Sequence, residues 1–542
     1  MKLSKFCNKI SLILQALWCA VLYFLIEALC RHSVVEAWDY MTGKPLVFAY
    51  NTAFIFTTML IVYLFHRRVF WRVVVSVFWL FLGIVNCILL LNRVTPFTGP
   101  DLHMLTDGIA IMQKYLPFYG VVIGCIIIGL VLFALLILFI KGPKYQQKIK
   151  YRYVIPMIVV GAVAFGGITQ LALEKRVLSN YFGNIAFAYE DYGYPYCLAT
   201  TIFNTGISQP RDYSEEEIKR IEKTESNLPE TKEDGKRPNI LFLQLESFFD
   251  PTLVNYLNIS EDPIPNFRKL MKEYSSGYYK VPAVGAGTAN TEFETITGMS
   301  LHYFGPGEYP YKSILKETTC ESVPYVLKNL GYSTHAVHNN EANFYGRRSV
   351  FPNLGFDTFT SEEYMENENL QNPLGWVKDS ILTDEILKCL DSTEEPDYVY
   401  TISVQGHGDY PEEQLIENPK IKVEGIDDEA KKNKWEYYVN MVYEMDQFAG
   451  DLVKAVEDRG EPAVVVFYGD HLPTMGLTAE DLKSRYLYNT NYVIWDNIGL
   501  EQQDRNIPAY QLMADVMNRL DIHSGTLFNY HQQRQNSKNY LS

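Results

Sequence analysis

Ala463-Val464-Val465-Val466-Phe467-Tyr468-Gly469-Asp470-His471 runs from a β-branched, aromatic stretch straight into an acidic and an imidazole group. The apolar part has strand length and no polar alternation, as a strand buried on both faces should. Two other stretches repeat the pattern. Asn239–Leu245 (NILFLQL) ends in Glu246, and Tyr398–Val404 (YVYTISV) runs into Gln405-Gly406-His407-Gly408-Asp409. Between them, Ile264–Tyr274, Val323–Leu330 and Lys434–Glu457 carry helical apolar spacing. Strands alternating with helices predict an α/β fold with a mostly parallel sheet covered by helices. Sites in such sheets form beyond the carboxyl ends of the strands. One acidic residue after one strand is usually a helix cap or a solvated turn. Three such strand ends together make that reading much weaker.

Gly285-Ala286-Gly287-Thr288-Ala289-Asn290-Thr291-Glu292-Phe293-Glu294 adds a tight turn that opens a helix. A helix start favours phosphate oxygens through its free N–H groups and its dipole. By itself Thr288 reads as an ordinary N-cap. Beside the acidic strand ends it reads as a nucleophile.

The chain before this region is of another kind. Five apolar runs, Ile10–Cys30, Leu46–Phe65, Val73–Leu91, Phe118–Ile140 and Tyr153–Leu173, each approach the ~20 residues of a spanning helix. The first is long for a signal-peptide core and lacks a clear small-x-small exit. Lys2, Lys5, Lys9, Arg67, Arg68, Arg72, Lys141, Lys144, Lys148, Lys150 and Arg152 fall on one side of these spans. Arg31, Lys44, Arg93 and Lys114 fall on the other. The basic bias places the N-terminus in the cytoplasm and everything after the fifth span outside. Glu27, inside the first span, reads as snorkelling or paired with another span, with function the rarer alternative. Thr95–Asp101 reads as a turn-rich outer loop, able to touch a lipid head group but explained by ordinary turn chemistry. The expected organisation is a five-helix membrane domain over 1–173, a linker with short helices over 174–238, and an extracellular α/β domain over 239–542. In the linker, Ser214 and Glu217 fit a capping box, and Thr224–Pro238 is polar.

Charge follows the same division. Residues 1–205 carry 17 Lys/Arg against 8 Asp/Glu, and residues 206–542 carry 31 against 55. An acidic surface argues against nucleic acid as a partner, because phosphate backbones need basic ones. Six of the eight cysteines lie in or near the apolar segments, and no CxxC spacing occurs, so neither a disulfide framework nor a zinc finger is expected.

These motifs, in this order, resemble the lipoteichoic acid synthase family, in the sulfatase-like branch of the alkaline phosphatase superfamily. The resemblance covers essentially the whole chain. It implies metal ligands Glu246 in LQLESF, Thr288 in GAGTANTEFE, and Asp470 and His471 in YGDH. It implies substrate contacts from His338 and Arg347 in VHNNEANFYGRR, and a further active-site histidine, His407, in SVQGHGDYP. Trp376 and Asp379 in GWVKD also look like a family segment. Tyr345 stands where such synthases carry Trp, and no small-x-small processing site is found in the linker. The sulfatases' C/S-x-P-x-R motif does not occur at any cysteine, which argues against sulfate-ester hydrolysis.

The resemblance implies a phosphotransferase of the bacterial cell membrane. One divalent cation, Mn²⁺ first with Mg²⁺ or Zn²⁺ as alternatives, would activate Thr288. Phosphatidylglycerol would be the donor, and a glycolipid or growing polyglycerophosphate chain (lipoteichoic acid) the acceptor. His407 would serve as acid and base, and Arg347 would clamp phosphate with its planar fork. Tyr410, Trp376 and Phe344 could line the pocket, while His335 and Arg348 read as structural and surface residues. The rivals are a phosphoethanolamine or phosphoglycerol transferase acting on another envelope acceptor, a phosphodiesterase, and a non-catalytic membrane sensor.

Overall fold

The computed structural model describes residues 11–91, 95–103, 118–180, 182, 185–204, 206–207, 213–225, 237–366 and 370–534. The chain divides into two compact units, Met1–Thr205 with Gly305–Gly307, and Gly206–Phe304 with Glu308–Ser542.

Among the described residues, the first unit holds five helices long and apolar enough to cross a membrane: Ser11–Cys30, Pro45–Leu64, Arg68–Leu90, Val122–Lys141 and Tyr151–Glu174. They fall on the five expected runs; Ile10 lies outside the described residues. Thr95–Asp101 is less open than a turn-rich loop. Thr98 accepts no solvent role there: its N–H and hydroxyl both donate to Asp101, and a short helix follows over Gly99–His103. The unit also continues past residue 173, where the linker was expected, to Thr205. Glu27 and Asn51 explain why. The Glu27 carboxylate accepts from Tyr194 N at 3.0 Å and from Arg31 Nε at 3.1 Å. Asn51 Oδ1 accepts from Tyr196 N at 2.9 Å. Two polar residues of spanning helices thus satisfy the free N–H groups that open the helix Tyr194–Phe203. Glu27 is paired rather than isolated.

The second unit is built on ten strands: β1 Asn239–Leu245, β2 Asn258–Ile259, β3 Ser275–Lys280, β4 Ser333–His338, β5 Thr358–Ser361, β6 Asp397–Ile402, β7 Val423–Glu424, β8 Ala463–Gly469, β9 Asn489–Asp496 and β10 Ile507–Pro508. Eight form one sheet in the order β10-β3-β9-β8-β1-β6-β4-β5. β9 runs antiparallel to both its neighbours, and the other pairs are parallel. The two short strands β2 and β7 pair with each other.

Alternation along β1 places the core. Leu241, Leu243 and Leu245 face a cluster with Trp435, Tyr438, Val442 and Met445 of the long helix Glu429–Arg459. Ile240 and Phe242 face the opposite cluster, with Phe293 and Ile296 of Thr288–Thr297 and Leu512 and Val516 of Ala509–Arg519. Both faces of the sheet are covered, which is why its central strands are uniformly apolar. Each such buried side chain contributes roughly 1.5–3 kcal/mol of transfer free energy.

The expected strands over 239–245 and 463–468 stand as β1 and β8. The expected strand over 398–404 ends at Ile402, and the helix from Val323 ends at Lys328 rather than Leu330. The long helix starts at Glu429, five residues before the apolar period, because Asp428 accepts from Lys431 N and caps it there. Ser214 accepts from Glu217 N and opens the helix Glu215–Glu225 as expected. Most of the expected polar linker from Thr224 to Pro238 lies outside the described residues.

Candidate active site

Sheet register assembles the centre. Leu245 of β1 lies opposite Gly469 of β8, so the next residues, Glu246 and Asp470, leave the sheet side by side. His338 ends β4 opposite Ile402 of β6, two strands from β1 along the same edge. Gly469 is required where it stands: a Cβ there would lie 1.9 Å from Phe248 O. Ser247 takes a left-handed backbone (φ 54°), the sharp turn that aims Glu246 inward.

The helix Thr288–Thr297 opens with Gly287 in a left-handed conformation (φ 107°), and no side chain caps it. Thr288 is therefore not the N-cap. Its hydroxyl donates instead to Glu246 Oε2 at 3.0 Å and lies 3.5 Å from His471 Nε2. Thr291 Oγ1 donates to Asp470 O at 2.8 Å and ties this helix to the end of β8.

One ligand atom each from Glu246, Asp470 and His471 lie within 4.8 Å of one another, and all three residues are buried. The donor set suits a divalent cation. His471 Nδ1–H donates to Leu472 O at 2.9 Å, which leaves the Nε2 lone pair for the cluster. Nε2 lies 3.4 Å from Asp470 Oδ2 and 3.6 Å from Glu246 Oε1. Asp470 Oδ1 accepts from Ser247 N at 2.8 Å, and the buried Oδ2 faces His471 Nε2 at 3.4 Å. Burial, then the Glu246 charge, push the Asp470 carboxyl up from its ordinary range. Two buried carboxylates this close are stabilised by positive charge beside them, from a protonated His471 or from a bound cation. Ser247 Oγ donates to Glu246 Oε1 at 3.0 Å, and Ser403 Oγ accepts from Glu246 N at 2.8 Å.

Arg347 and His338 lie at the same edge, but both are already engaged. Arg347 is fully buried against Glu292, itself fully buried. Nε donates to Glu292 Oε2 at 3.1 Å and Nη2 to Glu292 Oε1; Nη1 donates to His338 Nε2 at 3.1 Å and to Phe344 O at 3.3 Å. Four of the five guanidinium N–H directions are used. The planar fork expected to clamp phosphate holds Glu292 instead. His338 Nδ1–H donates to Ile402 O at 2.9 Å, so Nε2 is its acceptor atom. Burial first, then Arg347 and His407, hold the His338 pKa well below its ordinary value, so the ring is neutral.

His407 sits in the loop after β6. Its ring centre lies 4.6 Å from that of Trp376 and 6.0 Å from that of Phe344. Beneath this loop, Asp379 Oδ1 accepts from Gln405 N, Val404 N and Asn339 Nδ2 at 3.2, 3.3 and 2.9 Å. Asp379 thus ties the loops that follow β4 and β6. Gly406 allows the His407 loop to cross the end of β1, since a Cβ there would lie 2.2 Å from Glu246 O. Tyr345 stacks on Tyr309 with centroids 5.8 Å apart and an interplanar angle of 19°. Tyr410 is buried and donates to Gly406 O, which makes it a support for the loop rather than pocket lining. His335 binds Thr358 and Asp397 within the fold, and Arg348 is exposed, both as expected. Glu292, Ser247, Ser403 and Tyr309 carry no motif of their own. Glu292 in GAGTANTEFE, Ser247 in LQLESF and Ser403 in SVQGHGDYP lay within stretches that had drawn attention, and Tyr309 did not.

Residues 238–522 match the sulfatase family. The chain belongs to that family. Among curated relatives, a Rhizobium meliloti (strain 1021) protein named for cyclic beta-1,2-glucan modification is 28% identical over 402 residues, covering 70% of this chain and 61% of the relative. Lipoteichoic acid synthase 2 of Bacillus subtilis (strain 168) is 25% identical over 245 residues, covering 44% of this chain and 36% of the relative. This sulfatase-family chain thus spans less than two thirds of the length of either. Among solved structures, Streptococcus pyogenes phosphoglycerol transferase GacH, in complex with sn-glycerol-1-phosphate, superposes with a TM-score of 0.55 at 23% identity. That match covers 61% of this chain and 88% of GacH, and it shows a shared fold.

Proposed function

We propose that this protein is a metal-dependent phosphotransferase that moves glycerophosphate from phosphatidylglycerol, through Thr288, to a hydroxyl of an envelope acceptor. The observation that carries the reading is the Thr288 hydroxyl, buried 3.0 Å from Glu246 Oε2 and 3.5 Å from His471 Nε2 beside Asp470. The names of the relatives and of GacH support the same class of reaction. Glu246, Thr288, Asp470 and His471 would hold one divalent cation, with Mn²⁺ the first candidate and Mg²⁺ or Zn²⁺ the alternatives. Bound there, it would supply charge neutralisation for the Thr288 oxygen and the phosphoryl oxygens.

Thr288 Oγ1 attacks phosphorus, the bond to the diacylglycerol oxygen breaks, and glycerophosphate stays on Thr288. Thr288 gives its proton to Glu246 Oε2 as it attacks, and His407 protonates the leaving oxygen. In the second step His407 takes the proton of the acceptor hydroxyl, whose oxygen attacks phosphorus; the Thr288 Oγ1–P bond breaks, and Thr288 takes its proton back from Glu246. Arg347, held by Glu292, positions His338 and has one N–H direction left for substrate. The basic bias of the loops supports an exterior site on a multi-span membrane protein, where lipid is the available phosphate donor.

Two acceptors follow from two relatives. A glycolipid or growing polyglycerophosphate chain fits the lipoteichoic acid synthase. A glycan hydroxyl fits the relative named for glucan modification, whose match extends over more of this chain. Phosphoethanolamine in place of phosphoglycerol is the donor alternative. The test is full-length protein with labelled phosphatidylglycerol, scoring diacylglycerol release and the labelled product. Thr288→Ala should lower release by about 10⁴-fold or more. Full activity in that variant would sink the mechanism, and free glycerophosphate without acceptor product would make the protein a phosphodiesterase.

A further inference from the structure

No Asp or Glu precedes Glu27, and none occurs between Asp39 and Asp101 or between Asp107 and Glu174. The basic loops at one end of the spanning helices therefore have no acidic neighbours in sequence. Loop charge of this kind sets orientation whatever its geometry. Three of these residues are built into the fold more closely than orientation requires.

Arg67, Arg68 and Arg72 stand where the helices Pro45–Leu64 and Arg68–Leu90 join. Two hydrogen bonds bring the segment after Val122–Lys141 against this corner. Tyr145 N donates to His66 O at 2.6 Å, and the Tyr151 hydroxyl donates to Leu64 O at 3.4 Å. Arg68 Cζ lies 3.6 Å from the centre of the Tyr145 ring and 5.0 Å from that of Tyr63. Arg72 Cζ lies 5.6 Å from the same Tyr63 ring, and Arg67 Cζ 4.6 Å from the Phe139 ring. Arg72 is aligned by neutral oxygens: Nε donates to Gln15 Oε1 at 3.1 Å, and Nη2 to Ser11 Oγ at 2.7 Å and the Tyr63 hydroxyl at 3.3 Å. Arg67 Nη1, Arg68 Nε and Gln15 Nε2 are buried donors with no hydrogen-bond partner among the described residues.

We propose that Arg67, Arg68 and Arg72 bind the phosphate head group of an anionic phospholipid, at a site separate from the catalytic centre. The proposal does not depend on the phosphotransfer reading. Arg68 and Arg72 are four apart on one helix, where like charges repel, and an anion between them relieves that repulsion. Stacking occupies the faces of the Arg67 and Arg68 guanidinium groups and leaves their in-plane N–H groups for oxygen acceptors. Phosphate matches that planar fork. The surface beside it is apolar. Phe139, under Arg67, is exposed, and so are Leu136 and Ile140 on its helix and Val69 on the next. A head group joined to acyl chains uses both parts of this surface, and a free phosphate uses only the first.

The test uses full-length protein in mild detergent, with dioleoyl phosphatidic acid, dioleoyl phosphatidylcholine and inorganic phosphate as probes. Native mass spectrometry reads retained lipid, and a thermal melt reads stabilisation. Wild type should hold phosphatidic acid about 10-fold or more tighter than phosphatidylcholine, equally with and without a chelator. The double variant Arg67→Gln, Arg68→Gln should weaken phosphatidic acid by about 10- to 100-fold, the loss of one or two charge-assisted bonds. Exposed Lys175→Gln, at the far end of Tyr151–Glu174, should bind as wild type. If the double variant melts lower without lipid, Arg67→Gln alone decides, because its side chain makes no hydrogen bond among the described residues. Equal retention of the two lipids by wild type overturns the assignment. So does wild-type retention of phosphatidic acid in the deciding variant, or retention that a chelator abolishes. Displacement of phosphatidic acid by inorganic phosphate at equal concentration would make this a free-anion site and overturn the lipid assignment.

Discussion

Glu292→Gln should destabilise the α/β unit strongly although it changes one atom type. Glu292 and Arg347 are both fully buried, and the carboxylate accepts two guanidinium bonds, Nε at 3.1 Å and a shorter one from Nη2. The substitution leaves the Arg347 charge in the interior with a neutral partner. One of the two contacts also becomes a clash of N–H groups. Removing one partner of a buried pair costs about 3–5 kcal/mol. For a unit of this size each kcal/mol shifts the melting temperature by about 2 °C, so a fall of about 6–10 °C is expected. The assay is a thermal melt of full-length protein with detergent, metal concentration and scan rate fixed. The double variant Glu292→Leu, Arg347→Met removes both charges and should regain most of the loss. Activity should fall in the double variant, because His338 loses the donor at its Nε2. A shift under about 2 °C for Glu292→Gln would refute the reasoning, since the pair would then be solvated or already neutral.

Glu294 is buried with its pKa raised to about 8, by burial first, against hydrogen bonds from Leu301 N at 2.8 Å and from the Ser300 side chain. A raised carboxyl contributes stability below its unfolded pKa that is lost as pH rises through the folded one. Wild type should lose about 4–5 kcal/mol between pH 4.5 and pH 8 from this group, and Glu294→Gln should remove that slope in pH-dependent melts. A chelator should lower the melting temperature. Excess Mn²⁺ at about 100 times its dissociation constant should restore about 2.7 kcal/mol, whereas Asp470→Asn should respond to neither. Gly406→Ala would bring a Cβ to 2.2 Å from Glu246 O, so it should lower Mn²⁺ affinity and activity together in titrations of the intact protein.

Legibility differed between the two halves of the chain. A spanning helix announces itself by length and hydropathy alone, because lipid demands both along one continuous segment. All five spans were therefore readable. The central strands β1, β6 and β8 were readable for a related reason: buried on both faces, they carry unbroken apolar runs. β3 (SSGYYK), β4 (STHAVH) and β9 (NTNYVIWD) are polar or broken in pattern and escaped notice. Their strand character comes from pairing with neighbours, which no local pattern records. Tyr194–Phe203 looked like linker because its anchors, Glu27 and Asn51, lie more than 140 residues away.

Residue type and order by themselves determined the α/β class, the five spans and the four chemical groups Glu246, Thr288, Asp470 and His471. Such groups sit at strand ends and turns, where short-range pattern is informative. Tertiary structure alone decided what those groups face. The register of β1 on β8 brings Glu246 beside Asp470, and the left-handed Gly287 turns Thr288 away from capping and toward them. It also decided that Arg347 meets Glu292. Two residues 55 positions apart hold each other's charge in the interior, and only the fold brings them within bonding distance.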